Sequence, residues 1–418
     1  MSTLKPRGVR LPLEPDFLKL WLGQTISLIG DNLGAMAITV MMVQKTGSAL
    51  VVAIGLAIQF IPPLVFGPIA GVLIDRFSRR KIMVVSDCLR GVITLIIALL
   101  IRQGFTQVGY AYSWQFVLAI FRMLYAPATQ AIIPALVSPD RLQRANSLQG
   151  MGINVAQILG PALAGIAVTA MGASAALALD ALSFFVSAGL IGLVRTEGEV
   201  KASPRQRSAL GQFGEGLAFF KQNRIALLLL CSAIMMNFTS TPTGVTMQVH
   251  VLKTLGSDSK TLGFIWSVGA FAALLASLIL VGRKRWGSLG ILLVSAMVAG
   301  SISLILTSLP TKASYLPATF SLFHFAGPFG AMAVQTMYQE ITPTDMRGRV
   351  FAVRSSLSSI LSPIAVMGAG WAVDATGSGV VLRALGLIEL AAALGIGLSS
   401  VARRSPYFQV RSRVTDAA

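Results

Sequence analysis

Twelve long apolar runs, separated by short polar loops, limit what this chain can fold into. The hydrocarbon core of a bilayer accepts about 20 apolar residues as one helix, and each run reaches that length. Only 12% of the residues are charged, which is about half the share in ordinary soluble domains. The sequence therefore predicts an all-α polytopic membrane protein. The predicted spans are 17–43, 49–74, 82–101, 108–136, 143–170, 174–194, 225–251, 261–281, 288–309, 314–340, 350–373 and 379–402.

Lysine and arginine residues are concentrated in every second loop. When cations at the ends of spans are counted with the neighbouring loop, 26 of the 34 cations belong to one set of loops and the two termini, six belong to the alternate loops, and two lie in the interior of spans. Cytoplasmic loops of membrane proteins carry such an excess of positive charge. The bias predicts an even number of spans, with both termini in the cytoplasm of a bacterial cell. The net charge of +18 then reflects topology in the inner membrane rather than nucleic-acid binding.

The longest polar stretch, residues 195–224, divides the spans into two sets of six. Short echoes relate the two sets, since residues 139–144 resemble 344–349 and residues 158–161 resemble 360–363. Repeated halves are typical of secondary transporters, which bind substrate between them. The predicted organisation is a cytoplasmic N-terminus at 1–16, a six-helix bundle at 17–194, a cytoplasmic linker with an amphipathic helix at 195–224, a second six-helix bundle at 225–402 and a cytoplasmic tail at 403–418.

A charged turn after the second run carries a recognisable pattern. Gly71 and Asp75 stand at fixed offsets before a cluster of cations that includes Arg76, Arg79 and Arg80. The stretch resembles the signature of the major facilitator superfamily between its helices 2 and 3, Gly-x-x-x-Asp-Arg-x-Gly-Arg-Arg/Lys, with serine in place of the second glycine. The resemblance implies a gating motif, in which the carboxylate pairs with a cation in one conformer and leaves it in another.

The fifth span contains a second motif. Gly160, Pro161 and Gly165 lie in the sequence Gln-Ile-Leu-Gly-Pro-Ala-Leu-Ala-Gly, which resembles the antiporter motif of the superfamily. Proline bends a helix and small residues permit close approach, so ordinary helix packing is the alternative explanation. Further similarity to the bacterial subfamily of macrolide-efflux pumps and the enterobactin exporter lies at 23–31, 87–90 and 127–146. The resemblance implies a drug:proton antiporter with the major facilitator fold.

Charged side chains within predicted spans are candidate functional groups, because a charge at the bilayer centre costs at least about 2.5–3.5 kcal/mol. Asp31 and Arg122 lie midway along spans 1 and 4, and the family resemblance implies that both helices line the central cavity. We expect Asp31 to be the proton-coupling carboxylate and Arg122 to pair with it; a static ion pair is the alternative. His324 is a further candidate for proton binding. Asp87 and Arg90, three residues apart, are expected to form a structural pair.

Four spans carry polar residues in stripes at helical spacing. Such stripes favour a substrate cavity, although helix packing in membranes also uses small and polar residues. The side chains between them are largely apolar, so the cavity suits a bulky lipophilic or amphipathic molecule better than a sugar. The candidate cavity residues are Gln24, Ser27, Asn237, Thr241, Gln335 and Tyr338.

An enzyme or an ATP-driven pump finds little support in the sequence. The chain has two histidines, and it contains neither a Gly-x-x-x-x-Gly-Lys-Ser/Thr loop nor His/Cys residues at metal-ligand spacing. We therefore predict a secondary active transporter without a cofactor, which exports a small molecule in exchange for protons. Its expected partners are the substrate, protons and membrane lipids, and we expect a monomer. The alternatives are a lipid, lysophospholipid or siderophore facilitator without tight proton coupling, and a non-transporting sensor or assembly protein.

Overall fold

A computed structural model describes residues 14–63, 65–66, 77–138, 141–195, 209–283, 286–309, 311–343 and 346–409. All regular secondary structure in these ranges is helical, which confirms the predicted all-α class. Nine helices within the same ranges are long and apolar enough to cross a membrane. One of the nine covers two predicted spans, the helix Leu316–Ile341 is not among the nine, and the predicted span 49–74 is described only in part. The count of twelve spans therefore stays a prediction.

The N-terminal half contains five helices whose bounds follow the predicted runs. They are α1 (Pro15–Thr46), α2 (Ala49–Ile58), α3 (Arg79–Arg102), α4 (Val108–Leu136) and α5 (Leu142–Gly192). α5 breaks at Gly172, where φ is 82° and ψ is 170°. Glycine reaches this region because it has no Cβ. α5 is therefore two helices, a first part before Gly172 and a second part after it, in agreement with the two spans predicted there.

The C-terminal half follows the same pattern after a short helix. The helices are α6 (Ala209–Gln222), α7 (Arg224–Val249), α8 (Ser259–Gly282), α9 (Leu289–Thr307), α10 (Leu316–Ile341), α11 (Arg347–Ser359), α12 (Ser362–Thr376), α13 (Ser378–Leu398) and α14 (Ser400–Arg404). A π-helical turn, His250–Thr254, extends α7. The predicted span 350–373 is covered by α11 and α12, and Pro363 stands in the first turn of α12, where a missing N–H is tolerated.

Polar side chains fix the points at which several helices begin. Ser48, Asn223, Asp258 and Ser288 each accept a hydrogen bond from a backbone N–H in the first turn of the following helix. Such caps satisfy amides that have no partner within the helix. Hydrogen bonds from Thr261 also lower the pKa of the Asp258 carboxyl group, which keeps this cap charged.

The two halves touch along two pairs of helices, α2 with α12 and α5 with α8. Both pairs meet near the loops at 47–48, 172, 255–258 and 377, which we call the far end of the bundle. The basic end is the opposite end, where the predicted cytoplasmic loops lie. Contacts between the halves at the far end leave room for a cavity that opens toward the basic end.

Helix α6 lies within the predicted linker and packs on the basic end of the C-terminal half. Glu215 forms an ion pair with Arg349 of α11, and a Cβ on Gly216 would overlap the backbone there. Phe220 is buried against the ring of Tyr338, with ring centroids 6.1 Å apart. The amphipathic helix predicted for this segment thus packs its apolar face against the C-terminal bundle.

Candidate substrate and proton site

A cavity of about 810 Å³ runs through the N-terminal half from the basic end to mid-helix. Its walls come from α1, α3, α4 and the first turns of α5. Apolar side chains make up much of the wall near the entrance, and charged side chains lie at its inner end. The lining residues are Gln24, Ser27, Leu28, Asp31, Arg90, Arg122, Tyr125, Ala126, Thr129, Gln130, Ile133, Pro134, Leu142, Asn146, Gln149, Gly150 and Ile153.

Asp31 and Arg122 meet at the inner end of this cavity. An oxygen of Asp31 lies 3.3 Å from Arg122 and 2.6 Å from Arg90 of α3. The two arginines differ in environment, since the Arg122 side chain is 52% exposed and the Arg90 side chain is 3% exposed. Asp31 therefore stands between a cation that faces the cavity and a cation that is buried in the bundle.

Arg90 has a larger role than the predicted structural pair with Asp87. It does contact Asp87, at 3.3 Å, and Ser187 donates a second hydrogen bond to that carboxylate at 2.6 Å. The same guanidinium group also pairs with Asp31, and it lies 4.0 Å from the ring centroid of Phe184. Contacts with two carboxylates and an aromatic ring stabilise the buried guanidinium group, because each contact offsets part of the free-energy cost of removing the charge from water.

Asp180, on the second part of α5, is a buried acid that the sequence analysis missed. Its side chain is fully buried, and neither carboxyl oxygen has a hydrogen-bond partner in the part of the chain that the structure describes. The carboxyl group lies against Gly30 and Gly34 of α1, where an added Cβ would meet it. The available signal was a single acidic residue within the apolar run 174–194, the same signal that marked Asp31.

Two amide side chains and one hydroxyl form a hydrogen-bonded group between Asp31 and the basic end. Gln24 donates to Thr129 at 2.7 Å and accepts from Gln149 at 2.6 Å. These side chains come from α1, α4 and α5, so the hydrogen bonds tie three cavity helices together. Ser27 lines the cavity one turn further in. The predicted positions Gln24 and Ser27 therefore both lie on the cavity wall.

The predicted cavity residues of the C-terminal half are engaged mainly with their own half. Asn237 donates to the Ser358 carbonyl at 3.0 Å, and Gln335 accepts from Arg354 at 2.6 Å. Thr241 also lines a smaller pocket of about 460 Å³ that it shares with Arg122. Among these predicted residues, Thr241 thus faces a pocket whose other walls belong to the N-terminal half.

Tyr338 and His324 lie in packed environments rather than beside Asp31. Tyr338 is fully buried, and its hydroxyl donates to the Ala226 carbonyl at 2.9 Å, so the structure places it in the core of the C-terminal half and not on a cavity wall. His324 packs edge-on against the rings of Trp266 and Phe320. Helical spacing put Tyr338 on a polar stripe, but spacing alone does not decide which neighbour that stripe faces.

Glu389 of α13 is the buried carboxylate of the C-terminal half. It is 3% exposed, and Thr239 of α7 donates a hydrogen bond to it at 3.2 Å. A Cβ on Gly300 of α9 would lie 3.2 Å from its other oxygen. Glu389 therefore joins α13 to α7 at a distance from the Asp31 site, with no cation paired to it among the described residues.

A family model described as Major Facilitator Superfamily matches residues 20–367, which is most of the chain. The chain belongs to the Major Facilitator Superfamily. The resemblance drawn from the motifs is thereby confirmed, and the protein is a multi-pass membrane transporter of small molecules and not an enzyme. Its helical architecture, with two contacting halves and a cavity within the N-terminal half, agrees with that assignment.

Two bacterial proteins and one bacterial structure are similar to this superfamily transporter. It is 26% identical over 365 residues to macrolide efflux protein A of Streptococcus pyogenes, covering 84% of this chain and 87% of that protein. It is 24% identical over 389 residues to the uncharacterized MFS-type transporter YvqJ of Bacillus subtilis (strain 168), covering 91% of each. The crystal structure of a bacterial homologue of the iron transporter ferroportin, in an inward-facing state, matches 92% of this chain and 98% of that chain with a TM-score of 0.68 and 18% identity. The structural match establishes the fold.

The superfamily gating motif is described only in part. Gly71, Asp75 and Arg76 lie outside the described residues. Arg79 donates to the Ala131 carbonyl at 2.9 Å, and Arg80 donates to a carbonyl at the end of α5. Arg80 therefore binds the last turn of α5, where carbonyl groups have no partner within the helix and carry partial negative charge, whereas Arg79 binds α4 ahead of its last turn.

The antiporter-type motif lies where the first part of α5 meets other helices. Gly160 faces Asn32 of α1, and Gly165 faces the backbone of Ser259 at the start of α8. The Pro161 carbonyl in turn faces Gly263 of α8, where an added Cβ would overlap it. The small residues of the motif thus permit direct backbone contact between the two halves.

A carboxylate also crosses between the halves at the far end. Asp374 of α12 accepts hydrogen bonds from the Ser48 hydroxyl and from the first two amides of α2, those of Ala49 and Leu50, at 2.7 and 3.1 Å. Lys253 donates to the Gly47 carbonyl beside it. We call this group of hydrogen bonds the far-end clasp. It caps α2 with a side chain from the other half.

Proposed function

We propose that this transporter exports a lipophilic or amphipathic small molecule from the bacterial cytoplasm in exchange for protons. The structure then represents an inward-facing conformation, with the basic end in the cytoplasm and the far-end clasp closing the outer side. Both termini lie in the cytoplasm in this arrangement, and the protein acts as a monomer in the inner membrane. Similarity to the ferroportin homologue, whose crystal structure is of an inward-facing state, supports the conformational assignment.

The observation that carries the proposal is the position of Asp31 between two arginines at the inner end of the cavity. A proton on Asp31 would release both arginines from their shared carboxylate, so protonation and ion pairing compete for one group. Because Arg122 is half exposed to the cavity, a bound molecule can also change this balance. A group that responds to protons and to cargo couples the two fluxes when its affinity differs between conformers.

The cavity wall supports the substrate class. Leu28, Ile133, Leu142 and Ile153 offer an apolar surface, and the amides named above offer a few hydrogen bonds. Such sites suit ligands that combine apolar bulk with a small number of polar groups. The relationship to macrolide efflux protein A is consistent with a cargo of this kind.

The test is uptake into everted membrane vesicles, with and without a proton gradient. Erythromycin, ethidium, a siderophore and a lysophospholipid serve as probes. We expect gradient-driven accumulation of at least one probe, and loss of that accumulation in Asp31→Asn. The matched control is Asp16→Asn, which makes the same chemical change on the same helix, at a carboxylate that pairs with Lys19 at the basic end. The control should transport normally.

Other outcomes separate the alternatives. Accumulation that is unchanged when the gradient is collapsed would identify a facilitator, and Asp31 would then have a structural role only. Full gradient-driven transport by Asp31→Asn would refute the coupling role of this residue. Absence of flux for every probe, in protein that is correctly inserted, would favour a non-transporting sensor.

A further inference from the structure

The position of Asp180 behind α1 raises the question of how a carboxyl group is tolerated there. The side chain is fully buried, and neither oxygen receives a hydrogen bond from any described residue. Burial of an ionised carboxylate without hydrogen bonds costs many kcal/mol, whereas a neutral carboxylic acid loses far less on leaving water. The geometry therefore suits a carboxyl group that carries a proton.

The charges around Asp180 lead to the same result. Five charged side chains form a cluster in the interior of the N-terminal half, and those that act electrostatically on Asp180 are Asp31, Arg90 and Arg122. The fifth is Asp87, which faces Arg90. Three acids and two guanidinium groups have a net charge of −1 when all are ionised, so one proton makes the cluster neutral.

Hydrogen bonding decides which acid holds that proton. Asp31 contacts Arg90 and Arg122, and Asp87 contacts Arg90 and Ser187. Both carboxylates thus have a cation or a hydrogen-bond donor in contact, which offsets the cost of taking their charge out of water. Asp180 has no such partner among the described residues. Protonation of Asp180 therefore breaks no ion pair or hydrogen bond, whereas protonation of Asp31 or Asp87 would.

We infer that Asp180 is a second proton-binding site, which holds one proton in this conformation and exchanges it with the cavity through Asp31. This inference rests on the proposed proton coupling and names a group for it. In the exchange, the Asp180 O–H bond breaks and an O–H bond forms on Asp31. The negative charge moves to Asp180, Arg90 follows it, and the proton leaves Asp31 for water in the cavity.

Helix α1 is placed to control this exchange. Gly30 and Gly34 present a face without side chains to the Asp180 carboxyl group, while Asp31 faces the cavity. The two carboxyl groups thus lie on adjacent faces of α1, because successive residues of a helix point about 100° apart. A small rotation of α1 would change the access of Asp180 to the cavity.

Infrared spectroscopy of the purified, reconstituted protein tests the proton directly. A protonated carboxyl group has a C=O stretching band that a carboxylate lacks. Protein labelled with carbon-13 at the aspartate side-chain carboxyl should show this band at neutral pH with an isotope shift, which separates it from any contribution of Glu389. The band should be lost in Asp180→Asn and kept in Asp16→Asn.

Two results would overturn the inference. One is the absence of an isotope-shifted band from the parent protein, a result that needs no variant to fold. The other is persistence of the band in Asp180→Asn. If that variant does not insert, Gly34→Ala replaces it, because the added Cβ would overlap the Asp180 carboxyl group and must shift the band; an unshifted band would count against the assignment.

Transport distinguishes this inference from the proposed function. Asp180→Asn should lose gradient-driven accumulation of the probe that the parent accumulates (erythromycin, ethidium, the siderophore or the lysophospholipid) but keep exchange of the labelled for the unlabelled probe, whereas a misfolded protein would lose both. If the parent and Asp31→Asn behave as proposed and Asp180→Asn still accumulates the same probe, only the inference fails. If the parent shows no proton-driven transport, the proposed function fails, and the infrared result alone decides whether Asp180 binds a proton.

Discussion

Removal of the Asp374 carboxylate should shift this transporter away from the conformation described here. Asp374 belongs to α12, and all three of its hydrogen bonds go to Ser48, Ala49 and Leu50 in the other half. Opening of the far end would break every one of them, because α2 and α12 would separate. Asp374→Ala therefore removes interactions that exist in one conformer only, which is the condition for a shift in population.

The size of the shift follows from the number and exposure of these bonds. A hydrogen bond contributes about 0.5–1.5 kcal/mol net, and the lower value applies here because Asp374 is exposed to water. Three bonds at the lower value give about 1.5 kcal/mol, which is roughly tenfold in the ratio of closed to open far ends. A protein that is about nine-tenths closed would become about half closed.

Distance measurements between spin labels can detect this change. Suitable sites are Lys45 at the end of α1 and Thr376 at the end of α12, since both are exposed and belong to different halves. The two native cysteines, Cys88 and Cys231, would first be replaced. Pulsed electron paramagnetic resonance on reconstituted protein should then show a larger long-distance population in Asp374→Ala.

A matched control limits the interpretation. Asp16→Ala removes a carboxylate that pairs with Lys19 within one half, so it should leave the distance distribution unchanged. Asp374→Asn should give an intermediate result, because asparagine caps helices nearly as well as aspartate but has no charge. An unchanged distribution in Asp374→Ala, or an equal change in Asp16→Ala, would refute the reasoning.

Two further substitutions test the placement of predicted site residues. Tyr338→Phe removes the hydrogen bond to Ala226 and should cost about 1 kcal/mol, seen as a lower thermal-unfolding midpoint in detergent; a changed transport KM would instead indicate a cavity role. Gly165→Ala places a Cβ onto the Ser259 carbonyl and should separate α5 from α8, which the same spin labels would report as opening of the far end. Gly189→Ala, in open space, is the control, and an equal effect of both glycine variants would contradict the contact.

The helices of this fold could be predicted because hydropathy is a property of each segment by itself. The run 108–136, for example, coincides with α4 at both ends. The pairing of Asp31 with Arg122 was also predictable, because two opposite charges at mid-span depth have few other ways to be stabilised. In both cases the prediction needed only a feature of single segments, which was hydropathy for the helices and a charged residue at mid-span for the ion pair.

The rotation of each helix about its own axis could not be read from the sequence. Arg90 and Asp87 are adjacent on α3, yet the structure turns Arg90 toward Asp31 of another helix as well. Tyr338 belongs to the same polar stripe as Gln335 but points into the core. These outcomes depend on the packing of neighbouring helices, which involves residues far apart in the chain.

Helix α1 connects the proton site with the contact between the halves. Asp31 faces the cavity, and Gly30 and Gly34 face Asp180. The same helix ends at Gly47, whose carbonyl accepts a hydrogen bond from Lys253 in the other half. A shift of α1 that follows a change of charge at Asp31 would therefore reach the far-end clasp through one continuous helix. The two sites need no chain of intermediate side chains to affect each other, because a helix of 32 residues moves largely as a rigid body.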